Sequence, residues 1–200
     1  MKVFKHLFPA LLLLAGMGLA PTAQASLIAR LGGQAVYDTD FNITWLANAN
    51  ANGVMNWTAA NTWAAGLNVG GFTVWRLPTA DPACGFNYNC INSELGHLYY
   101  TELGVTAGNN ITSSTSPYLA LFTNMQNSVY WSGTEYAPGP VGAWFFNAYY
   151  GYQDVVNRVN NFYAWAVRSG DVAAVPEPGV IGLFGIGALA WAGTRARRRG

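Results

Sequence analysis

Short runs of alternating apolar and polar positions open and close the central part of this chain, and two helical stripes lie between them. Ala35-Val36-Tyr37-Asp38 and Ile43-Thr44-Trp45-Leu46 read as strands on either side of Asp38-Thr39-Asp40-Phe41-Asn42, whose residues favour a turn, so the pair predicts an N-terminal hairpin. From Asn56 to Leu67 the period changes. Trp63 and Leu67 stand at helical spacing from Ala59 and Ala60, Asn56 can cap the first turn and Gly66 can end the last. Gly70-Gly71 then turns the chain into Thr73-Val74-Trp75-Arg76-Leu77-Pro78-Thr79. A second helix is predicted over Glu94–Leu103 behind a Ser93 cap. Leu95, Leu98, Tyr99, Glu102 and Leu103 follow the i, i+3, i+4, i+7, i+8 pattern, and all but Glu102 form an apolar stripe. His97 falls off that stripe and is expected to face solvent. After a polar loop at Asn109–Ser116, strands are predicted at Val129–Gly133, Ala143–Ala148 and Tyr163–Arg168. The segments Tyr136–Gly142 and Tyr149–Asn161 are read as the loops between them. Hairpin, two helices and then an antiparallel sheet is an α+β order.

The two ends follow other rules. Lys2 and Lys5 precede an apolar run from Leu7 to Ala20, and Ala23-Gln24-Ala25 supplies a small-residue cleavage site. Residues 1–25 therefore read as a secretory signal peptide, with cleavage expected between Ala25 and Ser26. At the other end Pro176-Glu177-Pro178 precedes an apolar span at 179–193 and a basic stop of Arg195, Arg197, Arg198 and Arg199. The prolines hold their stretch extended, as a protease cleft requires. The span would make a helix of roughly 24 Å, short of a ~30 Å hydrocarbon core, and the arginines place its end on the cytoplasmic side. The order resembles the PEP-CTERM sorting signal of bacterial surface proteins. The resemblance implies that residues 175–200 are a transient transmembrane helix in the inner membrane. It also implies a partner, an exosortase-type membrane peptidase, which removes the tail and leaves the protein at the cell surface or in the secreted matrix.

Residues 26–174 lie between these segments, one domain in length. The formal charge of +1 for the whole chain conceals their balance. Arg30, Arg76, Arg158 and Arg168 stand against eight acidic residues, a balance of about −4 with no lysine, which argues against nucleic acid or an anionic membrane as partner. Asparagine and aromatic residues are abundant instead. That composition fits an exported protein kept soluble by amides, and equally one that stacks rings on sugars. Cys84 and Cys90, in an oxidising compartment, predict a disulfide around a short loop. No metal site is expected, since two cysteines are half a zinc site and His97 is the domain's one histidine. Asp38-x-Asp40-x-Asn42 begins like a calcium loop but has Ile43 where an EF-hand needs glycine and Ala49 where it needs glutamate, so Asx turns account for it better. No grouping of nucleophile, base and orienting residue stands out, and no cofactor or catalytic residue is expected.

One ordered set of segments carries a family resemblance. It comprises Tyr37-Asp38 with Thr44-Trp45-Leu46, the Trp57 helix, Trp75-Arg76-Leu77-Pro78-Thr79, Glu94-Leu95-Gly96-His97-Leu98, Tyr130-Trp131-Ser132-Gly133-Thr134-Glu135 and Ala164-Trp165-Ala166-Val167-Arg168. Together they resemble the domain first described at the C-terminus of a collagen-like bacterial adhesin (the Lcl C-terminal domain), over about Tyr37 to Asp171. The resemblance implies a fold like C-type lectins and formylglycine-generating enzymes. The calcium-lectin motifs and the late reactive cysteines of those relatives are missing, which speaks against calcium-dependent sugar binding and against that enzyme activity. Arg76, set between Trp75 and Leu77, should form an internal ion pair, with Glu135 the expected partner and Asp81 the alternative. Core packing is the default reading of Trp131, Trp144 and Trp165; Trp131 and Trp144, with Tyr149 and Tyr150, are the candidate ligand-contacting residues if they form an exposed row. The expected function is a non-enzymatic exported surface or matrix protein that binds extracellular polysaccharide. A purely structural matrix protein and a polysaccharide-acting enzyme are the alternatives.

Overall fold

The computed structural model describes residues 27–173. The expected signal peptide and the C-terminal tail, and the roles expected of Ala25, Ser26, Pro176, Glu177, Pro178 and the C-terminal arginines, lie outside the described residues. Among the described residues no helix is long and apolar enough to cross a membrane.

Two antiparallel-rich sheets share one core. Strand β1 (Leu27–Arg30) pairs with β2 (Ala35–Asp38), which pairs with β3 (Ile43–Leu46) as the predicted hairpin. The short strand β4 (Val54–Met55) and the helix α1 (Trp57–Ala65) follow. The Asn56 side chain accepts from the Ala59 N–H, the cap that the sequence predicts. Helix α2 (Glu94–His97) is capped by Ser93, but it does not continue as an α-helix: Leu98–Glu102 is a π-helical turn, closed by Leu103 N–H donating to the Leu98 carbonyl at 2.9 Å. Strands β5 (Val129–Glu135), β6 (Gly142–Asn147) and β7 (Tyr152–Asn157) pair antiparallel in the second sheet. β7 occupies sequence read as loop. Its polar residues conceal it, since only Gln153 of Tyr152–Asn157 is fully buried.

The last predicted strand is two. β8 (Phe162–Tyr163) joins the second sheet, giving the order β4-β8-β5-β6-β7, and β9 (Val167–Ser169) completes the first as β1-β2-β3-β9. Ala164-Trp165-Ala166 crosses between the sheets, entirely buried. Trp165 is the hub of the core. Its ring meets Trp45 at 5.0 Å, Phe122 at 5.2 Å and Tyr130 at 5.5 Å, and its Nε1 donates to the Leu46 carbonyl at 2.7 Å. An aromatic ring this large brings much apolar burial, and its one polar atom is satisfied by the backbone. The fold is mixed α and β, mostly sheet, with two helices.

Candidate functional site

Three places in this frame bear on function. The first is an aromatic surface beside the Cys84–Cys90 disulfide, which is formed as expected. The loop it closes lies along β7. Gln153 N–H donates to the Asn87 carbonyl at 3.0 Å, Tyr88 bridges to Tyr152, and the buried Gln153 amide donates to the carbonyls of Asp81 and Gly85. Gln153 thus acts as an internal peg for the loop, a role that its polar side chain conceals in the sequence. Next to the loop, Tyr88, Tyr149, Tyr150 and Tyr152 contact one another in sequence of space. Ring centroids are 5.5 Å apart for Tyr88–Tyr152, 6.5 Å for Tyr150–Tyr152 and 4.6 Å for Tyr149–Tyr150. Tyr88, Tyr149 and Tyr150 are each more than two-fifths exposed, and Phe86 is 60% exposed. Asn87, Asn89 and Asn109 stand exposed in the neighbouring segments.

Tyr149 and Tyr150 are therefore surface residues, available to a ligand. For the two tryptophans the core-packing reading holds, and the ligand-contacting role is corrected. Trp131 is fully buried in the central strand β5, against Phe162 and with its Nε1 donating to the Met55 carbonyl. Trp144 is 3% exposed beneath Phe86 and Tyr136. Both lie on middle strands covered on each face, so neither presents a ring to solvent.

The second place is the arginine pair, and here too the structure differs from expectation. Arg76 binds Glu94, not Glu135 or Asp81. Nη1 and Nη2 donate to the two carboxylate oxygens at 2.7 Å each, a fork-to-fork arrangement. The same carboxylate accepts from the Thr79 N–H at 2.7 Å. Glu94 is the first residue of α2, so the pair fastens the Trp75–Thr79 segment to the start of that helix. Arg76 is also held through its backbone, which exchanges two hydrogen bonds with Val167 of β9. Glu135 instead lies 3.2 Å from Arg158, with 60% of its side chain exposed, and the Arg158 guanidinium sits over Trp57 at 4.3 Å. Asp81 accepts from the Ala83 N–H at the start of a short 3₁₀ turn. Sequence spacing does not identify the partner, because Asp81, the acid nearest in sequence, turns its carboxylate to the Ala83 N–H, and a loop brings Glu94 back against Arg76 instead.

The third place is a buried polar cluster. His97 is 5% exposed, a correction to the solvent-facing reading, and its Nε2 lies 3.6 Å from Asp38 Oδ2 and 3.3 Å from Glu102 Oε1. The π turn is the reason. In an α-helix two residues five apart point about 140° away from each other. An i→i+5 hydrogen bond brings the later residue back over the earlier one, so Glu102 shares a face with His97. The Phe41 ring stacks on the imidazole at 4.0 Å. Asp38 is the Asx residue of the hairpin turn, as the sequence suggests. Its Oδ1 accepts from the N–H groups of Asp40 and Phe41, which leaves Oδ2 aimed at His97. Burial pushes the Asp38 carboxyl above its ordinary range against the pull of those N–H groups and of His97. Burial opposes the imidazolium of His97, but contact with Glu102 and the charges of Asp38, Glu102 and Asp40 together outweigh it and raise its pKa. Nothing in a helical wheel shows this cluster, since the wheel assumes the α period throughout.

The comparisons with known proteins agree with these landmarks. No curated protein and no solved structure matches the chain. Residues 174–199 match the PEP-CTERM protein-sorting motif, which marks the protein for export and for processing by an exosortase at the cell envelope. Residues 34–168 match the Lcl C-terminal domain over more than half of the chain, from β2 to β9, and the protein belongs to that family.

Proposed function

We propose that this exported protein is a non-enzymatic surface or extracellular-matrix component whose domain binds polysaccharide through the tyrosine cluster of Tyr88, Tyr149, Tyr150 and Tyr152. The observation that carries the reading is that cluster's exposure: three of its rings are more than two-fifths open, with Phe86 at 60% on the same loop as Tyr88. A tyrosine offers a flat apolar face and a hydroxyl, and it orders with little loss of conformational freedom. Asn87, Asn89 and Asn109 add amide donors and acceptors around the rings. Arg30, Arg76 and Arg158 each pair with a carboxylate, and Arg168 lies over Phe72, which leaves little positive charge to draw an anionic polymer. A neutral polysaccharide suits this surface better than a sulfated one.

The test is a glycan array probed with the exported protein, followed by calorimetry with any oligosaccharide that binds. Tyr149→Ala with Tyr150→Ala should weaken binding at least tenfold and leave the fold intact, since both side chains are surface-exposed. Uniform failure to bind neutral and acidic glycans, or binding indifferent to that double change, would leave a purely structural matrix protein as the better account.

A further inference from the structure

We propose that Asp38, His97 and Glu102 form a binding site for one divalent transition-metal ion, Zn²⁺ or Mn²⁺, which clamps the N-terminal hairpin to the π-helical turn. The donor atoms lie within 4.8 Å of one another, and all three residues are buried. Asp38 Oδ2, His97 Nε2 and both Glu102 carboxylate oxygens have no hydrogen-bond partner. Such atoms are costly to bury unless something meets them. The 3.3 Å and 3.6 Å separations from Nε2 suit ligands around a single ion at about 2.1 Å from each.

Charge points the same way. A bound divalent ion would displace any proton from the imidazole and cancel the charge of both carboxylates. Among the described residues Arg30 pairs with Asp171, Arg76 with Glu94 and Arg158 with Glu135, while Arg168 lies over Phe72. One imidazole nitrogen with two carboxylates is a donor set for zinc or manganese. Calcium prefers six or more oxygens, which this site does not supply. The surroundings orient the ligands. Two backbone N–H groups hold the far oxygen of Asp38, Phe41 covers the imidazole face and the π turn sets Glu102. Closed in by protein, the ion would be structural.

The experiment uses the full, tag-free chain in mild detergent, stripped with a chelator and titrated separately with Zn²⁺, Mn²⁺, Ca²⁺ and Mg²⁺ by calorimetry. One equivalent of Zn²⁺ or Mn²⁺ should bind with a micromolar or tighter Kd and raise Tm, and Ca²⁺ and Mg²⁺ should bind at least tenfold more weakly. Asp38→Asn with Glu102→Gln keeps side-chain shape and the Asx acceptor, and it should weaken uptake by at least about 100-fold, since loss of an outer partner alone costs 10–100-fold. The unaltered chain with one equivalent of Co²⁺ should show visible ligand-field absorption, a readout that does not depend on the variant folding. No uptake at 100 µM metal, equal uptake by the double variant, a preference for Ca²⁺ or a colourless Co²⁺ form would each overturn the assignment.

Discussion

Removing the Arg76–Glu94 pair should be far more damaging than removing the Arg158–Glu135 pair, and the difference can be worked from burial. The Glu94 side chain is 7% exposed, accepts both guanidinium N–H groups and also satisfies the Thr79 N–H. Its loss strands a backbone donor and breaks two charge-assisted bonds. A pair buried on both sides costs about 3–5 kcal/mol to break. Arg76 is 37% exposed, so water recovers part of its charge, and the discounted expectation for Glu94→Ala is about 2–3 kcal/mol. For a domain of this size that lowers Tm by roughly 5–10 °C. A double-mutant cycle with Arg76→Ala isolates the pair and should give a coupling near 2 kcal/mol in urea unfolding. The matching cycle for Arg158 and Glu135, whose carboxylate is 60% exposed, should give less than about 1 kcal/mol. Equal couplings for the two pairs, or an Arg76–Glu94 coupling below about 0.5 kcal/mol, would refute the argument that burial and the Thr79 contact set the scale.

Other expectations follow from single contacts. A Cβ at Gly96 would lie 2.0 Å from the Cys90 carbonyl, so Gly96→Ala should destabilise by more than about 3 kcal/mol in the same urea assay, and a change under 1 kcal/mol would contradict the close packing of α2 on the disulfide loop. Reducing the Cys84–Cys90 bond should cost only about 2 kcal/mol by loop-closure entropy, because the loop is short, yet it should weaken any glycan binding that depends on Tyr88. Arg30 holds the Asp171 carboxyl below its usual range, mainly by their direct hydrogen bond. That pair therefore stabilises above the unfolded carboxylate pKa of about 3.9, and its contribution is lost as pH falls through the lower folded value; Asp171→Asn should remove a fraction of a kcal/mol at pH 7 and flatten the acid limb of a stability profile.

Much of the frame was legible because local chemistry and global packing agree there. Asn56 caps α1, Ser93 caps α2, and the residues of 38–42 form the turn between β2 and β3. The misreadings have separate causes. β7 is an edge strand that mixes polar residues with the adjacent pair Val155 and Val156, so hydrophobic alternation is absent and cross-strand pairing with β6 decides the conformation. The tryptophans of β5 and β6 sit where tertiary cover hides them, and one strand pattern describes a buried and an exposed row alike. The setting of Arg76 implies an ion pair, but its partner, Glu94, depends on a return of the chain that spacing does not encode. The cluster of Asp38, His97 and Glu102 was the least legible, because it needs a change of helical period within a single turn.

That turn joins the buried cluster to the tyrosine surface, and the connection can be tested. Tyr99 and Tyr100 lie between His97 and Glu102 on the π turn. Tyr100 Oη donates to the Gly151 carbonyl at 2.5 Å, Tyr99 Oη donates to the carbonyls of Asn109 and Thr106, and the Tyr99 ring meets Phe146 of β6 at 5.5 Å. Gly151 has a φ of +87°, and a Cβ there would lie 2.6 Å from that Tyr100 oxygen, so the β6–β7 turn carrying Tyr149 and Tyr150 is fitted directly against the helix. An ion held by His97 and Glu102 would stiffen the π turn at both ends. On that reasoning, loading the stripped protein with zinc should slow amide exchange at 147–152 as well as at the ligand-bearing turn 38–42, and it should tighten glycan binding by ordering the rings beforehand. Slower exchange at 38–42 with no change at 147–152 would confine the ion's effect to the hairpin and separate the two sites.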